Sequence, residues 1–447
     1  MHQYIPNTTD DQRHMLETLG VKTFEELLAL IPDAVRFQGE LPLEPGVSEL
    51  EHKSDVMNLS RGSASSSSHI SFMGAGSYDH YIPQIVDVLV SRSEFYTAYT
   101  PYQAEVSQGT LQAMFEYQSM ICELTGMSVA NASLYDGASA LAEACLLAVR
   151  HTQRNRILIA ETVNPVYRQV AETYGQALDI AYESLPASGR LTDRSNLDGM
   201  DLTDVAAVVV QTPNFFGLLE DIDGIKTAIG SADTLFITVN NPMSLALIKS
   251  PGELGADIAV GEGQVLGAHQ SYGGPYLGFM AVTEALTRKI PGRIVGETVD
   301  NSGRRAFVMV LRTREQDIRR ERATSNICTN QGLIALTACI YMAALGKQGL
   351  RRVAELSTQK AHYLAEAIGR IPGYSVASDT PFFNEFVVEC PLPAKEVIQK
   401  AGSEGFLAGV AVDEYFPGHP GELLIAVTEK RTRKEMDALV HFLTTIA

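Results

Sequence analysis

Between residues 72 and 290, short apolar runs alternate with helix-length segments. No other feature constrains the fold as much. The runs lie at 156–160 (RILIA), 205–211 (VAAVVVQ), 234–239 (TLFITV), 256–260 and 276–282, with a further strand expected at 178–183. They are too continuously apolar for a strand with one wet face, so they read as strands buried on both faces. Helical stretches fall at 109–126, 137–151 and 164–177. The alternation predicts an α/β fold with a mostly parallel, doubly wound sheet. Ligands on such a sheet lie in the crevice beyond the C-terminal ends of the strands. After residue 330 the texture changes. A long helix (331–370) leads to YSVAS, EFVVEC and LLIAVT, with helices at 394–405 and 431–446. The expected division is an N-terminal arm (1–71), a large α/β domain (72–330) and a small C-terminal α+β domain (331–447). Within the arm, helices are expected at 9–19 and 23–31, the second opened by a capping box of Thr23 and Glu26. The serine tract at 60–68 reads as a mobile surface loop.

Composition removes several function classes. The 447 residues carry a net charge of −18, which disfavours nonspecific binding to nucleic acid or an anionic membrane. No apolar run is read as long enough to span a bilayer, and the N-terminus lacks the basic-then-apolar pattern of a signal peptide. The five cysteines are odd in number and scattered without a CxxC pair. That fits a cytoplasmic protein with no structural metal site. There is no P-loop, no strand-borne G-x-G-x-x-G and no G-x-S-x-G elbow, and the histidines are scattered.

The crevice chemistry turns on residues 254–279, LGADIAVGEGQVLGAHQSYGGPYLGF. A short strand enters a loop rich in Gly, Ser and His, then a second strand follows. Enzymes that hold pyridoxal phosphate on an open sheet use this layout. They need a lysine in the loop, a strand-end carboxylate for the pyridine nitrogen, and backbone N–H groups at a helix start for the phosphate. The lysine is missing: none occurs between Lys249 and Lys289, and Val265 stands where it is expected. At the end of the 234–239 strand the chain offers Asn240 and Asn241. An amide cannot stabilise a protonated pyridine as a carboxylate does. For the phosphate, Tyr135-Asp136-Gly137-Ala138 leads into a helix. Without a lysine, simple capping by Asp136 or Gly137 is the better reading there.

Three other stretches stand out. Residues 91–109, SRSEFYTAYTPYQAEVSQG, place Phe95, Tyr96, Tyr99 and Tyr102 within eight positions, followed by Gln103 and Gln108. This is either a binding surface or a loop whose aromatics are packed inside. Residues 312–330 hold five arginines between Arg312 and Arg322, then Thr324, Ser325 and Asn326. The bland reading is a solvated helix face; the sharper one is an anion or acidic partner across an interface. Gln211-Thr212-Pro213-Asn214-Phe215-Phe216-Gly217 ends a buried strand where crevices form, or is only a turn.

These stretches, with MGAGSYDHYIP, YQSMICELTGMSVANASLYDGASALAEA, PGRIVGETVD, PFFNEF and VTEKRT, resemble the glycine cleavage system P-protein family, glycine dehydrogenase (decarboxylating). The likeness is to the α (subunit 1) type of its split form and spans essentially the whole chain. It implies a fold-type-I pyridoxal-phosphate transferase architecture and an α2β2 assembly with a homologous β subunit. The β subunit is then expected to carry the lysine and the pyridoxal phosphate, this chain none. The implied reaction is decarboxylation of glycine, transfer of the aminomethyl group to the lipoyl arm of the H-protein, and release of CO2. The residues expected to complete the β site across the interface are Tyr96, Tyr99, Tyr102, Gln103, Thr324, Ser325 and Asn326. Val265, Asn241 and Gly137 are expected as vestigial cofactor positions. The competing readings are a self-sufficient pyridoxal enzyme using Lys249 or Lys289, and a non-catalytic scaffold.

Overall fold

The computed structural model describes residues 4, 6–37, 39–230 and 233–446. Contacts divide the chain into two units, 1–63 and 64–447.

In the first unit, helices Thr9–Leu19 and Glu49–Arg61 are each opened by a reciprocal capping box, Thr8 with Asp11 and Ser48 with Glu51. Each box satisfies N–H groups that the first turn leaves unpaired. The box expected at Thr23 does not form. Glu26 reaches one residue further back to the Lys22 N–H (3.3 Å), and the helix is only Phe24–Leu27 with a 3-10 turn, Leu28–Leu30. The helix at 49–61 was not anticipated. It takes in the start of the serine tract, whose remainder closes a turn through Ser65 N–H and Ser68 Oγ (3.0 Å). No described residue of this unit is buried, and Leu19, Leu30, Phe37, Leu43, Leu50 and Leu59 are all exposed.

In the second unit, the main sheet has seven strands: β1 (Val129–Ala130), β2 (Arg156–Ala160), β3 (Ala181–Leu185), β4 (Val205–Thr212), β5 (Leu235–Asn240), β6 (Ile258–Glu262) and β7 (Gly278–Val282). Their order is β1-β7-β6-β5-β4-β2-β3, with β7 antiparallel to its neighbours and the rest parallel. The continuous apolar runs have their cause here: Val205 through Val210 are sealed from solvent on both faces. Helices α1 (Gln108–Thr125), α2 (Gly137–Thr152), α3 (Pro165–Gly175) and α4 (Ile222–Ile229) accompany the sheet. The first three turns of α2 are wholly buried against β4, β6 and β7, which its alanines permit by letting the backbone approach closely. An unanticipated hairpin, β8 (Ile294–Val299) with β9 (Arg305–Val310), is tied to α1 by two glutamines. Gln108 exchanges two hydrogen bonds with Phe307 (2.8 Å each), and Gln118 two with Val295 (3.0 and 2.9 Å).

Helix α5 (Gly332–Gly369) links to a second core and bends at Gly346, whose φ of 61° lies in the left-handed region. By length and composition α5 passes as a membrane span, contrary to the expectation from sequence. Its apolar first half instead packs Ala335, Ala338, Tyr341 and Met342 into the main core. The small lobe is an antiparallel sheet, β10 (Ser375–Val376), β11 (Glu385–Glu389), β12 (Val410–Ala411) and β13 (Glu422–Ala426), in the order β10-β11-β13-β12, with α6 (Ala394–Ser403) and α7 (Arg433–Thr445). Ile70–Ser71 pairs in parallel with Phe406–Leu407, and Phe72, Phe215 and Phe216 join the small lobe's core. The two lobes of this unit are therefore stitched together at the C-terminal edge of the main sheet.

Candidate functional site

At that edge, β5, β6 and the start of α2 converge where a ligand crevice is expected. A carboxylate fills the position. Glu262, the last residue of β6, is buried, and its Oε2 accepts the Gly137 N–H at the start of α2 (2.9 Å). Its Oε1 accepts the Gln264 and Leu277 N–H groups (2.9 Å each). Burial lifts its pKa to about 7 against the pull of these three amide donors. Asp136 caps α2 through Ser139 N–H (2.7 Å), so the capping reading of this turn holds. The helix N-terminus that would hold a phosphate is thus occupied by the chain's own carboxyl group.

The other cofactor positions are closed too. Val265 is 1 % exposed and belongs to the main core. Asn240 Nδ2 donates to Thr238 O (2.9 Å) and Thr238 Oγ1 (3.0 Å), while Asn241 Oδ1 caps Met243 N–H (3.0 Å). Above them lies the 74–78 loop. Gln264 binds it through Tyr78 N–H (2.9 Å) and Tyr78 O (3.1 Å). Tyr78 OH and Ala75 N–H donate to Glu385 (2.7 and 2.6 Å), another buried carboxyl pushed up to about 7. The Tyr167 hydroxyl sits 2.5 Å from where a Cβ on Gly137 would stand, so only glycine fits beneath it. With valine for lysine, amides for the carboxylate and Glu262 on the phosphate amide, these residues do not fit pyridoxal phosphate. The alternative lysines are elsewhere. Lys249 pairs with Asp223 on the surface (3.3 Å). Lys289 acts on His151, about 20 Å along α2 from Gly137.

The aromatic loop and the 324–330 segment come together. Phe95, Tyr96, Tyr99, Arg293, Thr329 and Asn330 line a cleft of about 230 Å³, and the Tyr99 hydroxyl meets Thr329 Oγ1 (3.2 Å). Tyr96, Tyr99 and Tyr102 are exposed, as is Gln103. Arg312 lies over the Tyr102 ring (5.1 Å) while paired with Asp317. The arginine run is not one solvated helix face. It breaks into short turns, and buried Arg314 donates to the Ile290 and Gly292 carbonyls and pairs with Glu315 (3.0 Å). Thr324 is half-buried and Asn326 exposed at its end. Ser325 points inward, donating to the buried Glu143 (2.9 Å) and accepting from Ile327 N–H (3.0 Å). Its hydroxyl is therefore committed within this chain.

The sequence profile of the glycine cleavage system P-protein matches residues 2–443. The chain belongs to the P-protein family. It is 48% identical over 441 residues to a probable glycine dehydrogenase (decarboxylating) subunit 1 of Anoxybacillus flavithermus, covering 98% of both chains. It is 51% identical over 444 residues to the same-named protein of Chlorobium phaeobacteroides, covering 98% of this chain and 99% of that one. Among solved structures, an inhibitor-bound glycine decarboxylase (P-protein) of the glycine cleavage system superposes with a TM-score of 0.91 at 42% identity, covering all of both chains. A sphingosine-1-phosphate lyase of Burkholderia pseudomallei shares the fold at 17% identity and a TM-score of 0.65, covering 93% and 94%. The P-protein architecture is accordingly that of fold-type-I pyridoxal-phosphate enzymes.

Within this P-protein fold, sequence reasoning missed Glu262, Gln264, Tyr78, Tyr167 and Glu385. One signal was available for Glu262: a lone carboxylate closing an otherwise apolar strand, three residues before the missing lysine. Tyr78 and Glu385 lie 307 residues apart and meet only in the fold.

Proposed function

We propose that this chain is the lysine-free subunit of a two-chain glycine dehydrogenase (decarboxylating). In this reading a homologous β-type partner supplies the lysine and holds pyridoxal phosphate. Together, as α2β2, they decarboxylate glycine and pass the aminomethyl group to the lipoyl arm of the H-protein, releasing CO2. The observation that carries the division of labour is Glu262 seated on the Gly137 amide. A crevice closed by its own carboxylate has no room for a second anion there.

Two features support a partner. The 1–63 segment exposes most of its apolar side chains and buries none of its described residues. Apolar surface of that extent marks a segment that packs on something else. The exposed tyrosines above the 230 Å³ cleft present rigid rings with polar tips, as interface loops do. In this account Tyr96, Tyr99, Tyr102 and Gln103, with Thr324 and Asn326, form a wall of the partner's site. Ser325 holds that wall in shape through Glu143. The setting proposed is the cytoplasm, where all five cysteines stay as the free thiols seen here.

The test is reconstitution. Glycine-dependent CO2 exchange by a lysine-bearing β-type chain should require this chain. Full exchange by the partner alone would sink the proposal.

A further inference from the structure

The QTPNFFG turn plays no part in the crevice or the aromatic cleft. It walls an open cleft of about 440 Å³ between the edge of the main sheet and the small lobe. Asn214 builds the turn. Its Oδ1 accepts from Phe216 and Leu218 N–H (3.0 and 3.2 Å), and its Nδ2 donates to Arg190 O and Glu220 Oε1 (2.8 Å each). Both Phe216 and Arg190 are fixed this way. Gly217, at φ 84°, passes so close to the small lobe that a Cβ would stand 1.8 Å from the Glu385 carbonyl oxygen. Phe216 then packs on Phe416 with ring centres 4.9 Å apart, giving the cleft a rigid apolar wall.

Five titratable groups face this space: Glu161, Arg168, Arg190, His419 and Glu422. Arg190 and His419 both hold Glu422 Oε1 (2.7 Å each), and Arg190 also approaches Glu389 (3.9 Å). What remains is unpaired on both signs. Glu422 Oε2 is buried with no partner. Glu161 Oε2 accepts the Ala187 N–H (2.9 Å), and its other oxygen has no partner among the described residues. Arg168 lies beside the Phe416 ring (6.0 Å), its Nε is buried without a partner, and no described carboxylate pairs with its guanidinium. Buried polar atoms of this kind are normally satisfied by protein, water or ligand.

A simple anion would be drawn to Arg168 but repelled by the two glutamates, and a simple cation would face Arg168. A zwitterion satisfies both. We propose that this cleft binds a free α-amino acid with an uncharged apolar side chain. Its carboxylate meets Arg168, its ammonium meets Glu161, and its side chain lies against Phe216 and Phe416. The site is separate from the cofactor crevice.

Isothermal titration of the full chain tests this with L-leucine, 4-methylpentanoate (no ammonium) and 3-methylbutylamine (no carboxylate). Leucine should bind, and each analogue should bind about 10-fold more weakly or worse. Arg168→Gln should weaken leucine about 10-fold while leaving the amine bound no more weakly, and Glu161→Gln should weaken leucine while leaving 4-methylpentanoate bound no more weakly. Equal binding of leucine and 4-methylpentanoate would make this a plain anion site and overturn the proposal, as would leucine affinity unchanged in Arg168→Gln. Should a variant fail to fold, hydrogen exchange on the unaltered chain decides. Leucine should protect 161–168, 187–190 and 416–422, and no protection there overturns the proposal.

Discussion

Replacing Glu262 by alanine should convert a closed crevice into an anion site. The substitution strips an acceptor from three buried N–H groups, those of Gly137, Gln264 and Leu277. Each bare donor costs about 1–3 kcal/mol, so the gross loss is roughly 3–9 kcal/mol. Two effects offset it. Burial moves Glu262 from 4.5 to about 7, so ionising it at pH 8 costs the folded chain about 3 kcal/mol, which alanine removes. Water entering the vacated space also satisfies part of the donors. The net destabilisation should be about 2–4 kcal/mol. Inorganic phosphate should then reverse most of it, because a ligand at 100 times its Kd stabilises by about 2.7 kcal/mol. Differential scanning calorimetry at pH 8 reads both effects: a lowered midpoint for Glu262→Ala that phosphate raises, and a wild-type midpoint that phosphate leaves in place. If phosphate stabilised the wild type equally, or left the variant unmoved, Glu262 would not be occupying an anion site.

Further expectations follow from the same geometry. Glu143, Glu262 and Glu385 are each raised by burial to about 7 from 4.5. The folded chain keeps these protons where the unfolded chain has lost them, so the stability they lend is complete below pH 4.5 and is lost as pH rises through about 7. Denaturant titration should show their contribution falling from pH 5 to 8, and Glu385→Gln should flatten that slope; an unchanged slope contradicts the assignment. Gly217→Ala forces a Cβ to 1.8 Å from a backbone oxygen at positive φ and should cost 3 kcal/mol or more, on the order of the largest single-residue effects. A wild-type urea midpoint would show that the turn can move. Tyr99→Ala should lower glycine-dependent CO2 exchange of the reconstituted complex by about 10-fold without changing its mass in sedimentation, since positioning lost at a site wall costs rate before assembly. Unchanged exchange would reduce the loop to packing.

Much of this architecture was legible because its signals are local. β2, β4 and β5 declare themselves by apolar runs that only a doubly covered sheet needs, and α2 by an Asp136 cap before an alanine-rich stretch. The missing lysine at Val265 and the paired Asn240-Asn241 were also readable, since each is a residue type at a known place on a strand. The contacts that close the crevice were not. Glu262 meets Gly137 across 125 residues, and Tyr78 meets Glu385 across 307, pairings that sequence spacing does not encode. The hairpin 294–310 was hidden because one of its strands is mostly solvent-facing and carries Glu297 and Thr298. The Thr23 capping box failed because Glu26 found a better-placed N–H one residue upstream. Ser325 illustrates the opposite hazard. Its neighbours made it read as an anion donor, yet its hydroxyl turns inward to a buried carboxyl.

The proposed division of labour leaves the cofactor lysine to the partner. The direct measurement is borohydride reduction of the reconstituted two-chain complex in pyridoxal phosphate, followed by peptide mapping. A phosphopyridoxyl-lysine is expected on the partner chain and none on this one. A reduced adduct at Lys249, Lys289 or any other lysine of this chain would contradict it.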